Sequence, residues 1–161
     1  MSGTEGLLIV GAHTRLGYVH YLRKRYDEAY AEYRRELEFL ASSDHALRER
    51  TLIEIHQKLA ALHAARGDMD QAARFGNLAI EGLERRVAAG ADDPATRYYV
   101  AGVYAQRSDV ANTLKHLDLP LKRLRLFTTW RLERDPDFAP VRSQQAFAER
   151  LAAAAGKLPL S

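Results

Sequence analysis

Apolar residues recur three or four positions apart along the chain, and no stretch alternates apolar with polar in the manner of a half-buried strand. Ser2-Gly3-Thr4-Glu5 has the form of a capping box. It predicts a first helix carrying Leu7, Val10, Leu16, Tyr18, Val19 and Leu22, ending near Lys24 with a turn at Arg25-Tyr26. In the second helix Ala29, Tyr33, Leu37 and Leu40 form the inner stripe, while Glu28, Glu32 and Glu36 beside Arg34 and Arg35 read as a solvated face. Ser42-Ser43-Asp44 stops that helix and caps a third, from about His45 to Arg66, whose stripe is Leu52, Ile55, Leu59 and Leu62. Gly67 supplies its C-terminal turn. Asp68 with Gln71 opens a fourth helix, which carries Ala72, Phe75, Ala79, Ile80 and Leu83 and ends before Gly90.

The second half follows the same grammar. Asp92-Asp93-Pro94 pairs a cap with a proline in the first turn, where the missing N–H costs nothing. It starts a fifth helix with Tyr99, Val100, Val103 and Tyr104, which Ser108-Asp109 breaks. The sixth holds Val110, Leu114 and Leu117, and Pro120 is expected to kink or end it. Leu121 to Glu133 resumes as helix with Leu124, Phe127, Trp130 and Leu132. Asp135-Pro136 starts a short helix to about Val141, and Ser143 to Ala155 makes the last, stopped by Gly156. The expected fold class is all-α.

Composition narrows the functional classes. The absence of cysteine excludes a disulfide framework, a thiolate metal site and a cysteine nucleophile. A net charge of +3 is small for 161 residues and argues against a dedicated nucleic-acid protein. No apolar run reaches the roughly 20 residues of a membrane span, and Leu7-Leu8-Ile9-Val10 is short and lacks a basic flank, so it is a poor signal peptide. The expectation is one cytoplasmic domain spanning 1–161.

The helices repeat. Gly17, Ala60 and Ala101 lie on the odd helices, and Ala29, Ala72 and Thr113 follow each of them by the same twelve positions. Small residues at a fixed separation let two helices approach at one crossing. This spacing resembles the tetratricopeptide repeat family. Unit one reads His13-x₂-Leu16-Gly17-x₂-His20 with Ala29-x₃-Tyr33; unit two reads His56-x₂-Leu59-Ala60-x₂-His63 with Ala72-x₃-Gly76; unit three reads Arg97-x₂-Val100-Ala101-x₂-Tyr104 with Thr113-x₃-Leu117. The units exceed the family's usual period of about 34 residues, as in a longer-helix variant. The segment Asp135-Pro136-Asp137-Phe138-Ala139-Pro140-Val141-Arg142 with Phe147 is similar to the piece that closes some bacterial members. The resemblance implies a right-handed α–α superhelix of stacked antiparallel helix pairs. Its repeats would cover about 4–41, 44–89 and 93–119, with a C-terminal cap at about 120–156.

The resemblance also implies a non-catalytic function, binding of a peptide or helix of another protein on the concave face of the odd helices. Carried over by position, that groove comprises Thr14, Tyr18, Tyr21, Glu54, Gln57, Tyr98 and Gln106. Members that clamp an acidic C-terminus use basic groups there; Thr14, Tyr18, Ala61, Ala95 and Tyr99 stand at those positions, so that activity is not carried over. His13, His20, His56 and His63, with Leu16, Gly17, Ala29, Leu59, Ala60, Ala72, Ala101 and Tyr104, are expected to pack repeat against repeat. Histidines seven apart are separated by about 10.5 Å of helix rise, too far to share a metal. No metal site, cofactor or catalytic residue is therefore assigned. Alternatives are a regulatory or nucleic-acid-associated module using the basic stretch Lys115 to Arg134, a histidine-based enzyme, and self-association through Leu7 to Val10.

Overall fold

The computed structural model describes residues 10–156, so the Ser2-Gly3-Thr4-Glu5 box and Leu7-Leu8-Ile9 lie outside the described residues. Those residues form nine α-helices: α1 (Ala12–Leu22), α2 (Tyr26–Ala41), α3 (Arg48–Ala65), α4 (Met69–Ala88), α5 (Pro94–Gln106), α6 (Val110–Arg123), α7 (Arg125–Leu132), α8 (Ala139–Arg142) and α9 (Gln145–Ala154). A 3₁₀ turn at Pro136–Phe138 precedes α8, and no strand occurs among the described residues. The chain divides into two compact units, Met1–Leu78 and Ala79–Ser161, with the boundary inside α4 and the second expected repeat.

Three helix pairs, α1–α2, α3–α4 and α5–α6, turn in the same way. The residue in the left-handed region is Lys24 (φ 59°), Gly67 (φ 81°) and Ser108 (φ 56°). The next N–H reaches back five positions, from Arg25 to His20 O, Asp68 to His63 O and Asp109 to Tyr104 O, at 2.9, 2.9 and 3.0 Å. The following helix begins in each case with a 3.0 Å bond, Ala29 N to Arg25 O, Ala72 N to Asp68 O and Thr113 N to Asp109 O. Asp68 and Asp109 also cap their helices, accepting from Gln71 N and Asn112 N. The repeated spacing in the sequence thus corresponds to a repeated backbone turn.

In the first unit, Ala29, Tyr33, Leu40, Ile55, Leu59 and Leu62 form a fully buried core. A Cβ at Gly17 would lie 2.5 Å from the Tyr33 ring and 3.2 Å from the Ala29 carbonyl oxygen. Here a hydrogen is the only side chain that fits.

The acidic face of α2 departs from expectation. Glu36 is fully buried and Glu32 nearly so. α1 begins after Gly11 without a side-chain cap of its own, and its first N–H groups have no partner within the helix. Glu36 takes that role from the neighbouring helix, accepting from the Thr14 N–H at 3.2 Å and its hydroxyl at 3.1 Å. A carboxylate there also faces the positive end of the helix dipole. Glu32 accepts from His13 Nδ1 at 2.7 Å and from Arg35 at 2.6 Å. These acids are buried because a helix start lies above them.

Two boundaries also differ. Ser42-Ser43-Asp44 ends α2, but α3 begins only at Arg48 without a side-chain cap; Ser43 Oγ accepts from the His45 N–H in the intervening turn. Pro120 does not end α6 at its own position. The helix runs to Arg123 and breaks at Leu124 (φ −130°, ψ 46°), while the Pro120 carbonyl accepts from the Leu124 N–H and the Thr128 hydroxyl.

In the second unit α5 and α6 pack with the C-terminal segment around Ala101, Leu117, Phe138, Val141 and Phe147. Asp93 caps α5 through the Thr96 N–H, with Pro94 in the first turn as expected.

Candidate functional site

The histidine positions form a recurrent contact. The residue that opens each unit's motif meets a residue nineteen positions on, on the paired helix: His13 with Glu32, His56 with Phe75, and Arg97 with His116. The position seven residues later joins the same partner in two units. His63 stacks on Phe75 with centroids 5.5 Å apart, and Tyr104 on His116 at 5.3 Å. His63 also meets the Tyr30 ring edge-on. In these two units the even-helix residue is held between two odd-helix side chains two turns apart.

The third of these contacts is polar. Arg97 donates to His116 Nδ1 at 3.0 Å and holds Asp92 through two 2.8 Å bonds. Burial and the neighbouring Arg97 push the His116 imidazole down to about 4, so it stands neutral as an acceptor. Burial also lowers His63. Arg97 holds Asp92 below the usual carboxylate range. The arrangement neutralises and immobilises its members. Among the described residues no three histidine, aspartate or glutamate side chains converge as metal ligands do.

The expected groove residues separate into two groups. Thr14, Gln57 and Tyr98 are buried, at 0, 1 and 4% exposure, and so do not form an open surface. Tyr98 instead holds the C-terminal cap. Its hydroxyl donates to Asp135 Oδ2 at 2.8 Å, Arg131 lies 4.0 Å over its ring, and Phe138 packs against it at 5.2 Å. Burial, with Asp135 beside it, raises the Tyr98 phenol far above its ordinary value. Gln106 donates to the Asp137 carbonyl at 2.9 Å. The chain's own 135–138 segment thus engages both expected groove residues of unit three.

Asp135 accepts from the Asp137 N–H through its other carboxylate oxygen, and Arg142 donates to the Leu132 and Asp135 carbonyls. These bonds give a local reason for the Asp-Pro-Asp-Phe-Ala-Pro-Val-Arg string.

Tyr18, Tyr21 and Glu54 are half-buried. Tyr18 stacks on Tyr21 with centroids 6.1 Å apart, and Tyr21 tilts against Tyr26 at 5.9 Å. Lys58, only 5% exposed, places its ammonium 4.1 Å over the Tyr18 ring. A lysine buried this far needs compensation, and the ring face supplies part of it. Lys58 was missed in sequence because its position reads as an ordinary polar neighbour of Leu59.

Of the expected packing residues, Gly17, Ala29, Leu59, Ala60 and Ala101 are buried. His13, His20, His56, His63, Ala72 and Tyr104 are half-buried. Leu16 is 48% exposed, together with Val19 and Leu22 on the outer side of α1, so it contributes less packing than its motif position implies.

The basic stretch also holds unexpected exposed apolar groups. Leu124, Phe127 and Trp130, apolar positions of the expected helix, are 48, 55 and 55% exposed, and Leu126 is 74% exposed. Of the four apolar positions named for that helix, only Leu132 is buried, and Thr128 and Thr129 take the inner positions beside it.

Comparison with known proteins returned no match, whether to a family model, a curated protein or a solved structure. No helix among the described residues is long and apolar enough to cross a membrane.

Proposed function

We propose that this chain is a non-catalytic helical-repeat module that binds a segment of another polypeptide, and that its first unit carries the binding face. The reading takes the three helix pairs as successive repeats of a right-handed superhelix of the tetratricopeptide type. It is supported by the repeated turn and by the nineteen-residue contact recurring in each pair. The observation that carries the binding face is the row formed by Tyr18, Tyr21 and Tyr26, half-buried and backed by the Lys58 ammonium. Tyrosines held by their neighbours offer contact area at low entropic cost. Glu54, half-buried on the odd helix that also carries Lys58, adds a polar determinant.

The test is affinity capture with the full chain beside a Tyr18→Ala, Tyr21→Ala double variant. A polypeptide held by the wild type is expected to be lost by the variant while the melting temperatures stay within a few degrees. A polypeptide retained equally by both would reject this face.

A further inference from the structure

α7 is built inside out. Its inner positions are Thr128, Thr129 and Leu132, whereas Leu126, Phe127 and Trp130 stand in solvent. At 3.6 residues per turn, the three exposed side chains fall within about 100° of arc. The buried hydroxyls are satisfied, Thr128 donating to the Pro120 carbonyl at 3.1 Å and Thr129 to the Leu126 carbonyl at 3.0 Å. Folding alone favours the opposite arrangement, since burying rings gains more than burying hydroxyls. Contiguous exposed apolar groups of this size mark a contact surface.

The surroundings of the patch specify the partner. Between Leu119 and Arg134 there are five cations, Lys122, Arg123, Arg125, Arg131 and Arg134, against the single carboxylate of Glu133. Arg134 lies 4.9 Å over the Trp130 ring and Arg131 lies 5.5 Å over Phe127. At 55–74% exposure the three apolar side chains project from the surface and are not walled into a groove. A projecting apolar tip with two arginines over its rings, in the most basic stretch of the chain, matches the interfacial zone of an anionic bilayer. There tryptophan, phenylalanine and leucine enter the headgroup boundary, and arginine and lysine meet the phosphates. A nucleic acid fits less well, because arginines already lie over the ring faces that bases would stack on and the leucines would gain nothing.

We propose that α7 is a docking site for an anionic phospholipid surface, with Leu126, Phe127 and Trp130 entering the headgroup region and the flanking cations binding lipid phosphates. The assignment is independent of the peptide face on the first unit.

Trp130 is the only tryptophan in the chain, so its fluorescence reports on this patch alone. The full chain is titrated with vesicles of phosphatidylcholine, and with vesicles of an equimolar phosphatidylcholine–phosphatidylglycerol mixture. The expected result is a blue shift and co-sedimentation with the anionic vesicles only, weakened by added salt. A Leu126→Ser, Phe127→Ser variant keeps the reporter and removes side chains that are more than half exposed, so its melting temperature should stay within a few degrees of the wild type while it binds at least ~10-fold more weakly, as the removed apolar area requires. Absence of binding to anionic vesicles at low salt overturns the proposal, as does undiminished binding by the folded variant. A shift with polyglutamate or a single-stranded oligonucleotide but not with vesicles also overturns it, reassigning the face to an acidic protein or to nucleic acid.

Discussion

Gly17 shows how one residue sets the contact of a helix pair. A methyl group at that position would meet the Tyr33 ring at 2.5 Å, and Tyr33 is itself fully buried and cannot swing aside. Replacing glycine by alanine in a helix normally gains up to about 1 kcal/mol, whereas forcing extra volume into a packed site costs about 1–3 kcal/mol. The clash should win. Gly17→Ala is expected to destabilise the protein by about 1–2 kcal/mol in chemical denaturation, and adding Tyr33→Leu should recover part of that loss. This position was legible in sequence because small residues recur at one spacing. Glu36 was not. A carboxylate four residues beyond another on a helix reads as solvated, and only the start of α1, with Thr14 twenty-two positions away, explains its burial.

At the level of elements, the C-terminal segment is held to α5 by a few specific bonds. The Tyr98 hydroxyl meets Asp135 Oδ2, and Gln106 meets the Asp137 carbonyl. Asp135 is itself only 7% exposed, so removing its donor leaves a buried carboxylate oxygen short of a partner. Tyr98→Phe is therefore expected to cost about 1–3 kcal/mol, and amide exchange should accelerate in 135–142 more than in α5 itself. An unchanged exchange pattern would show that the hydroxyl does not hold the segment. The Asp-Pro starts at Asp93 and Asp135 were readable because a cap and its N–H lie two or three residues apart. The inverted face of α7 was not. Thr128 is held by the Pro120 carbonyl of the preceding helix, a relation that the helical period of α7 does not contain.

At the scale of the whole molecule, buried histidine makes stability respond to acid. In the folded chain His116 takes up its proton only at about 4, whereas an unfolded histidine does so near 6.5. Between those values the unfolded chain holds more protons, so its contribution is complete above about pH 6.5 and is lost as pH falls toward 4. The loss should reach up to about 3 kcal/mol. His63 is shifted in the same direction. Denaturation midpoints are expected to fall steadily from pH 7 to pH 4. A His116→Phe variant, which keeps the stack on Tyr104, should give a shallower slope; an identical slope would place the acid sensitivity elsewhere. What the sequence determined by itself was the helical class, most helix ends, the three equivalent turns and the small residues Gly17 and Ala29 at the first pair's contact. Those depend on partners within one helix or one hairpin. Tertiary structure decided which polar residues are buried and which apolar ones are left in water. It buried Glu36, Lys58 and Tyr98 and exposed Leu16, Phe127 and Trp130. Burial depends on what the rest of the chain brings against a side chain, and a helix's own periodicity carries no record of that.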